Sequence, residues 1–77
     1  MAQNQIIKSM ADRWPASIVA RHEVGRFSGG VLNPRTLANR DSLGTGPAGR
    51  FKIGKKTVYP VDSLIEYLIK MADDRAA

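Results

Sequence analysis

The sequence predicts an α+β domain, mainly α, with two short helices, a β-hairpin and a longer C-terminal helix. Three observations carry that expectation. Asn33-Pro34 is the strongest helix start in the chain, because asparagine is a preferred N-cap and proline at the first helical position sacrifices no hydrogen bond. The apolar period switches to two at Arg50–Ile53 and returns to a helical three-and-four spacing after Pro60. A length of 77 residues leaves room for one small core, since a chain of this size buries roughly 60% of the surface its unfolded form exposes.

Taken in order, residues 1–13 form either a short amphipathic helix, with Ile7, Met10 and Trp14 at i, i+3 and i+7, or a flexible arm. Pro15 ends any such helix, and the domain proper is expected over 14–72. Residues 21–28 read as a short helix with Val24 and Phe27 on one face, Ile18 or Val19 closing over them, and Gly29-Gly30 as the stop. The next helix starts at Asn33-Pro34 and ends near Ser42 to Gly44. It places Leu37, Ala38 and Asp41 on one side, suited to lying on another helix, and Arg35, Thr36, Asn39 and Arg40 on the other. Residues 44–49, GTGPAG, are loop. In RFKI, Phe51 and Ile53 point one way and Arg50 and Lys52 the other. Gly54-Lys55 fits a two-residue turn, and KTVY returns as the second strand. An isolated hairpin is marginal in water, so Phe51, Ile53 and Tyr59 are expected to rest on the helices. Pro60 opens the last helix, whose stripe is Val61, Leu64, Ile65 and Leu68. Asp62 suits its first turn, Glu66 and Lys70 are spaced for an i, i+4 ion pair, and 73–77 are expected to fray.

Composition removes several classes of function. With no cysteine and one histidine, disulfides, thiolate metal sites and histidine clusters are excluded, so no metal or cofactor is expected. No nucleophile–base pair or paired carboxylates can be assembled, so an enzyme is not expected and no catalytic residue is assigned. No apolar run approaches the roughly 20 residues that span a bilayer, and no targeting segment is visible, which points to a cytoplasmic protein without a membrane partner. The charge is concentrated. Arg35, Arg40, Arg50, Lys52, Lys55 and Lys56 lie between residues 35 and 56 with Asp41 as the only acid, and the rest of the chain is balanced, so this third carries the whole net charge of +5. A localised basic stretch on a small domain is the usual footprint of a nucleic-acid face, although a solvated basic surface has the same composition.

The two short helices joined by Gly-Gly-Val-Leu form a candidate helix-turn-helix. Arg35 can make two hydrogen bonds to guanine and Asn39 two to adenine, with Thr36 and Arg40 reaching bases or phosphate. Asn33 stands at a helix start whose free amides favour a phosphate, and Arg50, Lys52, Lys55 and Lys56 would neutralise others from the hairpin. Lysines on a hairpin equally guard a sheet edge against aggregation. Gly44, Gly46 and Gly49 spell a dinucleotide fingerprint, but a strand follows them instead of a helix and Pro47 interrupts, so they are loop. His22 is a surface histidine, and Trp14 a core anchor or lid instead of a base-stacking platform.

The stretch RHEVGRFSGGVLNPRTLANRDSLGTGPAGRFKIGKKTVYPVDSLIEYL resembles the small winged helix-turn-helix proteins of phage excisionase type, relatives of the MerR DNA-binding domain and of AlpA-like prophage regulators. The similarity spans roughly residues 14–69 and is most specific in NPRTLANRDSLGTGP and FKIGKKTVYPVDSLIEYL. It implies a recognition helix over 34–41, a wing over 50–59, and sequence-specific binding to duplex DNA in a bacterium or phage. The implied role is an excisionase-like recombination directionality factor working with an integrase or recombinase, as a monomer or a weak cooperative assembly on DNA. A small transcription regulator of the same fold, or a protein-interaction adaptor that does not bind DNA, are the alternatives. Two positions depart from the pattern: Ala20 lacks the hydroxyl of a capping box with Glu23, and Thr57 stands where valine is common. Nothing resembles the long dimerisation helix or effector domain of MerR regulators, so ligand sensing is not expected.

Overall fold

Among the described residues, 3–76, the computed structural model has four helices and a three-stranded antiparallel sheet. The first helix, α1 (Gln3–Arg13), settles the choice between arm and helix; Met1 and Ala2 lie outside the described residues. Ile7, Met10 and Ala11 pack against the core, chiefly across from the last helix. Trp14 then meets Phe27 edge-on, with ring centroids 5.5 Å apart, and its indole Nε1 donates to the Ile18 carbonyl at 2.8 Å. Trp14 is partly buried and packs against the core, in keeping with the expected anchor or lid.

A strand, β1 (Ile18–Ala20), follows where only an entry into a helix was expected. The expected single helix over 21–28 is split into a 3-10 turn, Arg21–Glu23, and one α-helical turn, α2 (Val24–Phe27). Ala20, which caps the turn, offers no side-chain acceptor to its first amides, and the Val24 amide donates to the Arg21 carbonyl in the tighter i→i+3 pattern. Val24 and Phe27 are buried as expected. Gly29 and Gly30, both at positive φ, stop the helix, and the Gly30 amide donates to the Gly25 carbonyl at 2.7 Å. Ser28 is buried; its Oγ donates to the Val24 carbonyl at 2.7 Å and accepts from the Leu32 amide at 2.8 Å, fastening the turn to α2.

The next helix, α3 (Pro34–Leu43), keeps its expected ends. Asn33 Oδ1 accepts from the amides of Arg35 at 2.8 Å and Thr36 at 3.3 Å. At the other end Gly44 is left-handed, its amide donates to the Asp41 carbonyl, and the Thr45 amide donates to the Arg40 carbonyl, the paired bonds of a Schellman motif.

Strands β2 (Phe51–Ile53) and β3 (Lys56–Pro60) form the expected hairpin. Gly54 has φ 62° and Lys55 does not share the left-handed region, which matches a type II′ turn. β3 is central, pairing with β1 through Val19↔Tyr59 and with β2 through Phe51↔Val58. One expectation is overturned. Phe51 and Ile53 do not rest on the helices; they are 47% and 54% exposed. Directly paired residues share a face. Tyr59 and Val19 therefore point into the core, whereas Phe51 shares the opposite face with Val58 and Ala20, and Ile53 shares it with Lys56. Lys52, paired with Thr57, lies on the tyrosine face, the reverse of the expected polarity.

The last helix, α4 (Val61–Ala76), buries Val61, Leu64, Ile65 and Leu68. It continues through the segment expected to fray; Ala77 lies outside the described residues. Among the described residues no helix is long and apolar enough to cross a membrane.

Candidate nucleic-acid interface

The orientation of α3 decides which of its side chains can meet a ligand. Leu37 and Asp41, four residues apart, both face inward. Leu37 joins the apolar core. Asp41, whose side chain is 4% exposed, is no apolar packing residue: its Oδ2 accepts from the Tyr59 hydroxyl at 2.6 Å and from Arg21 Nη2 at 2.7 Å. Arg21 Nε also donates to the Tyr59 hydroxyl oxygen at 3.0 Å. One carboxylate thereby fixes α3 against β3 and against the 3-10 turn. The hydrogen bond from Arg21 to Tyr59 raises the guanidinium's affinity for its proton, Asp41 adds to this, and partial burial opposes it. Burial pushes the Tyr59 hydroxyl above its ordinary value, as does its hydrogen bond to Asp41, against the opposing pull of Arg21.

The other oxygen, Asp41 Oδ1, has no hydrogen-bond partner; Arg50 Nη1 stands 3.9 Å away. The backbone of Gly46 passes directly over this carboxylate, and a Cβ there would collide with Oδ1. Gly46 is thus explained by the close approach of the loop to a buried acid, and the fingerprint-like glycine spacing by loop geometry.

With that side fixed, the helical turn of about 100° per residue sends Arg35, Thr36 and Asn39 outward, and all three are exposed. Leu43, 77% exposed and one turn beyond Asn39, extends the same ridge, which the sequence reading missed. Arg40 is exposed but belongs to the flank: it lines a hollow with Thr45 of the loop and with Ser63, Glu66, Tyr67 and Lys70 of α4. Asn33 is exposed, and its Oδ1 is engaged by the cap, leaving Nδ2 as the donor toward solvent.

The hairpin tip comes to the start of this helix. Lys55, Lys56 and Thr57 line a shallow cleft of about 240 Å³ with Pro34, Arg21 and His22. Lys52 and Arg50 are exposed beside it in sequence. The expected partners Lys55 and Lys56 thus share a hollow with the first residue of α3, and Arg21 and His22 join them from a segment the sequence reading left out of the site. One departure concerns charge pairing. Glu66 and Lys70, spaced for an ion pair, do not form one among the described residues, in keeping with the small net gain of exposed pairs. His22 lies 4.0 Å from Glu23. Among the described residues no three metal-ligating side chains gather.

No family model, no curated protein and no solved structure matches the chain.

Proposed function

We propose that the chain is a winged helix-turn-helix protein that binds duplex DNA in a sequence-specific manner. In this reading α2 and α3 are the helix-turn-helix, α3 enters the major groove, and the β2–β3 hairpin is the wing. The observation that carries it is the cleft in which the start of α3 and the lysines of the hairpin tip meet, beside an exposed ridge of Arg35, Thr36 and Asn39. A major groove about 12 Å wide admits such a helix, with Arg35 suited to guanine, Asn39 to adenine and Leu43 to a thymine methyl. Lys52, Lys55, Lys56 and Arg50 would neutralise phosphates flanking it, and the free amides of α3 with Asn33 Nδ2 suit another. The biological role proposed is that of an excisionase-like directionality factor acting beside an integrase in a bacterial or phage setting, without chemistry of its own.

Selection from random duplexes at two salt concentrations tests the reading. A defined motif should emerge. If about five phosphates are neutralised, affinity should fall on the order of several hundred-fold between roughly 50 and 200 mM salt. Arg35→Ala or Asn39→Ala should lose about 1–3 kcal/mol and relax one position of the motif. Failure to bind any duplex would favour a protein-interaction adaptor.

A further inference from the structure

The second hollow along α3 has no role in the reading above. It measures about 440 Å³ and lies between the C-terminal end of α3, the following loop and α4. Arg40 and Lys70 enter it from different helices, and the hydroxyl-bearing Thr45, Ser63 and Tyr67 line it with them. Glu66 is its one carboxylate, yet among the described residues neither Arg40 nor Lys70 is within ion-pairing distance of an acid. Thr45 Oγ1 donates to the Arg40 carbonyl at 3.4 Å, which leaves two exposed cations and the hydroxyls of Ser63 and Tyr67 against one acid among the described residues, chemistry for an oxyanion.

Its position says which oxyanion. The cleft of Arg21, His22, Lys55 and Lys56 lies at the Pro34 end of α3, and this hollow lies at the Arg40 end. A ten-residue helix is about 15 Å long, close to the width of a major groove, and a phosphate chain runs along each side of that groove. We propose that Arg40 and Lys70 form a second phosphate-binding site, which holds the DNA strand opposite the one met by the hairpin. Helix α4 then takes part in binding as well as in the core: its stripe of Val61, Leu64, Ile65 and Leu68 faces inward while Lys70 faces the duplex. Glu66, which lines the same hollow, tempers the site and keeps it from gripping any polyanion.

This inference rests on the DNA-binding reading, and the experiment separates the two. Binding of the full chain to its selected duplex is titrated with salt for the parent, Lys70→Gln, Glu66→Gln and, as a reference on the hairpin, Lys55→Gln. All three side chains are exposed, so thermal melting should be unchanged. Lys70→Gln should weaken binding about fivefold near 150 mM salt and lower the slope of log affinity against log salt by about 0.9. Glu66→Gln should tighten binding, and neither variant should alter the selected motif. If Lys55→Gln lowers the slope while Lys70→Gln and Glu66→Gln match the parent, the second site is overturned and DNA binding stands. If no duplex is selected at all, the underlying reading fails.

Discussion

The two strands of the hairpin read alike in sequence and behave differently in the molecule. FKI and TVY each carry two large apolar side chains next to a polar one, and each lies against the same turn. In β3 both Val58 and Tyr59 are buried; in β2 both Phe51 and Ile53 are largely exposed. Position in the sheet makes the difference. β3 is paired on both sides, so one of its faces meets the helical core and its other face is hemmed by the rows of β1 and β2. β2 is an edge, and its apolar residues fall on the face turned away from Tyr59. Alternation therefore tells which residues share a face, whereas pairing order tells whether that face is covered. The lysines around β2 also discourage another strand from adding to its open side.

Substitutions can break this contrast. The largest effect belongs to Tyr59→Ala, which empties a core position and removes a donor to Asp41; about 4 kcal/mol should be lost in urea unfolding, a large part of the roughly 5–15 kcal/mol that holds a small domain together. Tyr59→Phe should cost about 1–3 kcal/mol, because the ring stays while the buried carboxylate loses a partner. The same variant carries a pH signature. Since the native hydroxyl holds its proton above the ordinary value of 10.0, the unfolded chain releases it first as pH rises. The contribution of Tyr59 is therefore complete below about pH 10 and falls away as pH climbs through the raised native value. Unfolding measured from pH 9 to roughly pH 11 should show a steeper loss in the parent than in Tyr59→Phe; identical slopes would sink the assignment. The smallest effect belongs to Phe51→Ser, which should change stability by about 0.5 kcal/mol. A cost near that of Tyr59→Ala would show that β2 is part of the core after all.

What the sequence revealed followed from how local the cause is. Asn33-Pro34 and Gly44 mark α3 through bonds within a few residues, and the stripe on α4 repeats often enough to show its period. Strand β1 has three residues and owes its existence to Tyr59, forty positions away in Val19's register, so nothing near it announces a strand. Ala20 is legible as a cap without a hydroxyl, whereas the split of the 21–28 helix needed the backbone. Asp41 was placed on the correct side of α3, but the two partners that make a buried acid tolerable, Arg21 and Tyr59, come from distant segments. The candidate site divides the same way. Exposure of Arg35, Thr36 and Asn39 follows from helical period alone, whereas the company of Arg21 and His22 with Lys55, and of Lys70 with Arg40, depends on how elements meet.

The setting of Trp14 has a practical consequence. It is the chain's one tryptophan, its ring meets Phe27 edge-on, the Arg26 guanidinium lies 5.5 Å from its centroid, and its Nε1 is bonded to β1. It lines a separate hollow with Met10, Arg13 and Pro15 instead of the one at the hairpin tip. Fluorescence excited at the red edge, where Tyr59 and Tyr67 hardly absorb, thus comes from a single emitter that reports the docking of α1, β1 and α2 together, and unfolding can be followed optically with or without a nucleic acid present.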